Sequence, residues 1–428
     1  METIFAMCSG VGKAGVAVVR VSGPSSWKIT KRLCGKLPKP REMVLKSIVG
    51  IDGNPIDKAL IVCFQKDKSF TGEKTTELHL HGSTAVVVKV LKELSKFPEL
   101  KMAEPGEFTR QAFENGCLDL AQVEGLADLI DAETEAQRLQ AQRVLDGAVG
   151  KVVGKWRSEL TRAAALVEAT IDFVDEDVPM DVLPEVSRLI SNVLAGIKNE
   201  IVGVNIAERV RIGFEVAIVG PPNVGKSTLL NAIARREVAI TSEYAGTTRD
   251  VVEVRLDLEG LPVLLVDTAG IREAMDPVEK IGVEWAKNRA AKADLRVFLA
   301  DKYEFLGIER RAGDIVIKPK GDLRPTCENS ISGRTGMGVD GLIAQVVSEL
   351  RSRCGLIGDL SRHRHKTRAA EASYCLEAVL EHINADAVEV DLVAAELNTA
   401  LRTLEALVGS IGVEDILGEI FGSFCIGK

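Results

Sequence analysis

The sequence predicts a multidomain protein of the α/β plus all-α class: an amino-terminal α+β domain, then a helical domain interrupted by an inserted α/β domain. Three observations carry this. Strand and helix patterns are mixed from residue 1 to 117, while helical periodicity runs from Leu118 to about residue 208 and returns after Arg351. Between residues 212 and 350 the chain alternates strand, turn and helix. The predicted divisions are therefore 1–117, 118–210 for the first helical part, 211–352 for the insert, and 353–428 for the second helical part.

Within the first division GVAVVRVSG (15–23), ALIVCFQ (59–65) and TTELHLH (75–81) are strand candidates, and TAVVVKVLKEL (84–94) is a helix candidate. His79 and His81 fall on one face of their strand with no third ligand nearby in sequence, so they are expected to be core or pocket histidines rather than metal ligands. LAQVEGLADLIDAETEAQRLQAQRVL opens the helical part. AAEASYCLEAVLEHI and VAAELNTALRTLEALV belong to its return, where RHRHKTR (362–368) is expected to be a solvated basic face or a phosphate contact for nucleic acid.

Bulk properties narrow the class. An apolar content of 46% with 27% charged residues supports sizeable cores, and 4% aromatics with abundant Ala, Leu, Val and Glu leans towards helix. A formal net charge of -8 excludes a molecule that binds nucleic acid by its overall field, so RNA contact requires a local basic patch or a partner's surface. The eight cysteines are scattered, without a C-x-x-C pair, which argues against a zinc site or disulfide framework and fits a reducing compartment. The amino-terminal stretch lacks a basic leader, and no apolar run is long enough to cross a bilayer. A cytoplasmic protein without membrane attachment is expected.

The strongest chemical signal is EVAIVGPPNVGKSTLLNAIARR. An apolar strand (216–219) runs into G-x-x-x-x-G-K-S, Gly220 to Ser227, and then into an amphipathic helix. Glycines let backbone N–H groups approach phosphates, the helix start adds positive potential, and Lys226 reaches the β- and γ-phosphates. Ser227 supplies an oxygen to Mg²⁺. Downstream, LPVLLVDTAG sets a second strand against Asp267, Thr268, Ala269 and Gly270, where the acid holds Mg²⁺ through water and the glycine amide senses the γ-phosphate. EYAGTTRD lies between, and its Thr248 completes the Mg²⁺ shell as a switch. The combination resembles translation-factor-like GTPases.

Two details constrain mechanism. Ile271 follows DTAG where Ras-like enzymes carry the water-orienting glutamine, so another group must orient water. Glu279 in DPVEKIGVEWA is the candidate, with an exposed helix glutamate as the alternative. Asn223 offers an amide oxygen to a monovalent cation, and K⁺ there neutralises charge as an arginine finger otherwise does. The terminal FGSFCIGK raises a separate question. A lipidation box fails because Gly427 is not aliphatic, leaving an idle thiol or a nucleophile, Cys425, on a glycine-flanked mobile tail.

Together GPPNVGKST, EYAGTTRD, DTAGIREAMDPVEKIG and FCIGK resemble the MnmE (TrmE) family of tRNA-modification GTPases. RVSG (20–23), SFTGEKTTELHLHG (69–82) and EPGEFTRQAFENGCLDLAQVEGLADLIDA (104–132) extend the likeness over nearly the whole chain. The resemblance implies an amino-terminal folate-binding domain that forms a homodimer, and a hetero-oligomer with the flavoprotein MnmG. It also implies use of GTP, Mg²⁺, K⁺, a 5,10-methylene-tetrahydrofolate unit and the partner's FAD to modify C5 of the tRNA wobble uridine with an aminomethyl or carboxymethylaminomethyl group. By motif position Arg20, Glu77, Cys117 and Lys428 contact folate, and Ser242, Tyr244 and Thr247 join Asn223 around K⁺. GTP contacts are implied for Asn223, Val224, Gly225, Lys226, Ser227 and Thr228, for Ser242, Glu243, Tyr244, Ala245, Gly246, Thr247 and Thr248, for Asp267 to Gly270, and for Asp322. Glu279, Arg249 and Cys425 are the catalytic candidates.

Two positions depart from the family pattern. Cys117 stands where the family has lysine in NGKLDL. The guanine-reading N-K-x-D element is replaced by PKGD, Pro319 to Asp322, and ISGRTG (331–336) stands in for the S-A-K loop. Asp322 still accepts from guanine, but Pro319 has no polar side chain, so weaker discrimination among purines is expected. A GTP-timed switch of ribosome assembly, without modification chemistry, is the competing reading, and folate binding separates the two.

Overall fold

The computed structural model describes residues 2–172, 182–221, 223–238, 253–267, 287–300, 308–323, 329–353, 358–385, 389–409, 421, 422, 424, 426 and 427. The chain forms two compact units. Met1–Ala127 joins Val408–Lys428 in one, and Asp128–Leu407 makes the other.

The first unit is built on six strands: β1 (Thr3–Met7), β2 (Ala14–Ser22), β3 (Val44–Val49), β4 (Pro55–Phe64), β5 (Thr75–Gly82) and β6 (Leu100–Met102). Their order is β3-β4-β5-β2-β1-β6, antiparallel except where β6 runs parallel to β1. Period-two alternation sends Val19, Val21, Ile61, Leu78 and Leu80 to one face. There α1 (Ser26–Cys34) contributes Ile29 and Leu33, and α2 (Thr84–Leu94) contributes Val90 and Leu94. Burying each such side chain stabilises by about 1.5–3 kcal/mol. On the opposite face Leu45, Leu60, His79 and Val18 stand in register across four strands, and Leu45 and Leu60 are exposed.

Two helices complete the unit, α3 (Glu107–Glu114) and α4 (Leu120–Asp131). The carboxyl-terminal residues that are described pack here. Phe421 and Phe424 bury against Val123 with Phe113 and Leu118 alongside, and Ile426 bridges Pro105. Gly427 has φ +97°, and a Cβ there would stand 1.9 Å from the Met7 carbonyl oxygen. The tail expected to be mobile is therefore docked at these positions, because paired phenylalanines and a side-chain-free contact outweigh the freedom of its glycines.

In the second unit α5 (Glu135–Leu145), α6 (Ala148–Asp172) and α7 (Leu183–Ile212) precede the sheet strands β7 (Phe214–Val219), β8 (Glu253–Leu258), β9 (Leu261–Asp267), β10 (Leu295–Leu299) and β11 (Ile315–Ile317). The sheet order is β11-β10-β7-β9-β8, parallel except for the β8–β9 hairpin. It is flanked by α8 (Lys226–Ile233) and α9 (Val339–Arg353). The helices α10 (His363–Ile383) and α11 (Val390–Glu405) return to pack on α7 and α6. Thr134 and Gln137 form a capping box on α5, and Gln137 Nε2 also donates to the Arg211 carbonyl at 2.9 Å. That bond ties the start of α5 to the end of α7.

The basic run at 362–368 has an internal use. Arg362 pairs with Asp128 at 2.6 Å, and Arg364 donates to the Ala406 and Leu407 carbonyls at 3.0 and 3.1 Å, just past α11. His365 is fully buried and accepts from the Ser361 amide. Arg364 thereby satisfies carbonyls at a helix end, an internal use that the reading of the run as a basic face did not include. Among the described residues no helix is long and apolar enough to cross a membrane.

Glu93 anchors the β3–β4 turn. Almost wholly buried, its carboxylate takes Lys96 at 2.6 Å, Lys89 at 3.0 Å and the Ile51 amide at 3.1 Å. These partners, Lys96 foremost, hold its carboxyl down to about 2 from an ordinary 4.5. A folded value below the unfolded one stabilises above pH 4.5, and the gain is lost as pH falls through about 2. Glu93→Gln is therefore expected to lower the calorimetric unfolding midpoint near neutral pH, with the gap to wild type closing progressively below pH 4.5.

Candidate functional site

The nucleotide site grows from the end of β7. The strand delivers Gly220, where a Cβ would stand 2.8 Å from the Leu299 carbonyl of neighbouring β10. The loop then turns through Asn223 at φ +58° and Gly225 at φ +111°, and α8 begins at Lys226. Both left-handed residues direct backbone N–H groups inward where the helix start adds positive potential. Lys226 is buried, and its Nζ donates to the Gly220 and Pro221 carbonyls at 2.9 and 3.0 Å. In this form the lysine lies over the loop it serves. Ser227 and Thr228 occupy the first turn of α8, and Asp267 ends β9 directly beside Ile218 of β7.

A cavity of about 320 Å³ opens here. Asn223, Val224, Gly225 and Thr228 line one side, and Pro319, Asp322, Ser332, Gly333 and Arg334 line the other. Lys318 N donates to Asn329 O at 3.0 Å, and Ile331 N to Lys318 O at 2.8 Å. Gly321 N donates to Ile331 O at 3.0 Å, so the PKGD and ISGRTG segments are laced into one wall. Gly333 presses that wall onto α8, since a Cβ there would stand 2.7 Å from Thr228 C and Leu229 N. Sequence reasoning named the segment but not this glycine, whose need is visible only across chain-distant backbone. It also missed the buried ion pair of Arg296 with Asp314, with contacts at 3.0 Å, which locks the start of β10 to the turn before β11. Ser242, Glu243, Tyr244, Ala245, Gly246, Thr247, Thr248, Arg249, Thr268, Ala269, Gly270 and Glu279 lie outside the described residues, as does the Asp267 side chain.

The first unit carries a second cavity of about 420 Å³, lined by Arg20, Arg41, Phe64, Lys68, Phe70 and Glu77 among others. Arg20 on β2 and Glu77 on β5 are direct cross-strand partners, so their side chains meet by register. Arg20 Nε and Nη2 donate to Glu77 Oε1 at 3.0 and 2.9 Å. The guanidinium lies 5.3 Å from the Phe70 ring centre and 5.5 Å from that of Phe108. Three cations against one carboxylate, with flat rings between, suit an anionic ligand bearing an aromatic ring. Thr71, Ser22 and Gln111 fix the Phe70 loop through a chain of hydroxyl bonds, at 2.7 and 2.8 Å.

Cys117 is exposed and packs against Gly72 of that loop. Burial, with Asp67 nearby, pushes its thiol up, so it brings no charge where a lysine would bring a cation. Cys425 and Lys428 lie outside the described residues. His79 is half-buried beside Glu77, whereas the His81 ring is exposed and bonds Asp57 at 2.7 Å, which overturns the expected core placement of His81.

With both cavities placed, comparison with known proteins settles the family. The family model described as MnmE helical domain matches residues 120–425, and that described as GTP-binding protein TrmE N-terminus matches residues 3–117. The chain belongs to the MnmE family of tRNA-modification GTPases. It is 55% identical to the tRNA modification GTPase MnmE of Cereibacter sphaeroides, 53% to that of a Ruegeria species and 52% to that of Roseobacter denitrificans, each over 100% of both chains. Among solved structures, Era of Aquifex aeolicus bound to GDP and AlF4- is 28% identical over 32% of this chain and 56% of that one, at a TM-score of 0.25.

Gly333→Ala is expected to weaken GTP binding about tenfold or more, because overpacking against α8 moves the base-side wall. Fluorescent-nucleotide titration checks it, and wild-type affinity would show that the wall does not shape the site.

Proposed function

We propose that this member of the MnmE family hydrolyses GTP in a K⁺-stimulated reaction and uses the cycle in C5 modification of the tRNA wobble uridine. The observation that carries the reading is the first cavity. One wall is a phosphate loop at a helix start, the other holds Asp322 for the base, and the family is one of tRNA-modification GTPases. Lys226 leaves the loop carbonyls to meet the β- and γ-phosphates, while Asp322 accepts from guanine N1 and the exocyclic amine.

Ser227, Thr248 and Asp267 would hold Mg²⁺. Asn223 is exposed at the cavity edge in the left-handed conformation, and its amide oxygen is a suitable donor for K⁺ with Ser242, Tyr244 and Thr247. K⁺ would supply positive charge at the developing negative charge between the β- and γ-phosphates, as an arginine finger otherwise does. Glu279 would orient water, with Arg249 beside the reacting phosphates.

The second cavity supports the folate part. Arg41 and Lys68 suit the glutamate carboxylates of a tetrahydrofolate, and Phe70 and Phe64 its ring, with Arg20 and Glu77 reading the polar edge. Lys428 would add a cation at this site, and Cys117 would lie at its margin. The folate supplies a one-carbon unit. A Cys425 thiolate adding to uridine C6 would make C5 nucleophilic towards that carbon, loss of the C5 proton would then expel the thiolate and restore the ring, and the flavoprotein MnmG would bring FAD. The exposed Leu45–Leu60 row shares a sheet face with Glu77 and His79, which favours a homodimer through the amino-terminal domain.

Hydrolysis in saturating Mg²⁺ is expected to run more than about tenfold faster in KCl than in NaCl. Asn223→Ala is expected to abolish that difference while retaining nucleotide binding. Equal rates in the two salts for the wild-type protein would remove the K⁺ assignment.

A further inference from the structure

We propose that His79 is a positioning residue of the second cavity, holding the Glu77 carboxylate so that it can read the polar edge of a bound pterin ring. The inference rests on the folate reading above and adds a residue to it. Glu77 is anchored on one side only. Its Oε1 takes both Arg20 bonds, at 3.0 and 2.9 Å, while Oε2 has no such anchor. His79 Nε2 stands 3.5 Å from Oε2. That nitrogen is buried and makes no hydrogen bond.

Buried polar atoms are nearly always partnered, so an imidazole nitrogen left this close to a carboxylate is poised rather than idle. A closure of about half an ångström brings it to an N–H···O bond. Register makes the approach inevitable. Glu77 and His79 are two residues apart on β5 and share a face, between Leu60 of β4 and Val18 of β2. The flanking pair is apolar, and the buried Nε2 stands against the Glu77 carboxylate.

A carboxylate oxygen accepts two hydrogen bonds, so Oε2 can serve His79 and a ligand together. Pterin presents an N3–H and a 2-amino group side by side, and one N–H of this donor edge meets the acceptor site that Arg20 and His79 leave on Oε2. With Arg20 on one oxygen and His79 on the other, the carboxylate plane is set before the ligand arrives. Without His79 the group pivots about its Arg20 anchor, and ordering it is charged to binding.

The test uses the full-length protein and 5-formyl-tetrahydrofolate as probe, by isothermal titration. His79→Leu keeps the bulk and removes the nitrogen, and its dissociation constant is expected to rise about five- to tenfold. His79→Asn is polar but too short to reach Oε2 and is expected to weaken binding similarly. His79→Gln reaches as far as Nε2 and is expected to stay within about twofold of wild type, a rescue that a packing role would not produce. Thermal unfolding of all three identifies any variant that fails to fold, and the remaining comparisons still decide. Wild-type affinity in the Leu or Asn variant overturns the inference, as does a Gln variant as weak as Leu. Absence of probe binding by the wild-type protein removes the folate reading, and the positioning role falls with it.

Discussion

Backbone proximity at the carboxyl end of the second sheet governs the nucleotide site. β7 lies between β9 and β10, and its exit glycine, Gly220, passes so close to the Leu299 carbonyl that no side chain fits. This tightness turns the chain sharply into α8, and the turn aims the loop amides at one point. Gly333 repeats the device from the other wall, resting backbone on the first turn of α8. The cavity is thus bounded by two side-chain-free contacts, and its width is fixed by backbone rather than by adaptable side chains. Lys226 gains two carbonyl partners while waiting, so the charge that will meet phosphate is never left bare in a buried place.

A similar economy joins the second cavity to the chain's end. The short helix α3 carries Phe108, whose ring lies against Arg20, and Arg110, which lies 5.5 Å from the Phe421 ring centre. Gly106 at its start backs onto the Phe421 carbonyl, where a Cβ would stand at 2.6 Å. One helix therefore fixes both the guanidinium of the cavity and the docked residues around Cys425 in the sequence. These contacts are why the described residues of the tail are packed rather than frayed.

Much of this was legible in the amino-acid sequence. β2, β4, β5 and α2 follow from alternation and periodicity, and the glycine-lysine loop between strand and helix declares itself by spacing. β1, β3 and β6 were not read, since TIFAM, VLKSIV and LKM are short, and the first is buried almost throughout. Within the 362–368 cluster the internal use of Arg364 was not legible, because the carbonyls beyond α11 come beside it only in the fold. The PKGD segment was legible as part of the nucleotide site, and Asp322 lines the cavity there, whereas Gly333 acquires meaning only from residues far away in the chain. The compact units also divide at residues 127/128 and 407/408, following contacts that sequence periodicity does not encode.

The central claim is that this chain couples a GTP cycle to chemistry at wobble uridine C5. The most direct measurement is mass spectrometry of wobble nucleosides from a strain lacking its own MnmE and complemented by this chain. The account predicts restored C5 modification with the wild-type chain and loss of it with Cys425→Ser. Unmodified wobble uridine in the wild-type complemented strain would contradict the function, and full modification by Cys425→Ser would contradict the nucleophile.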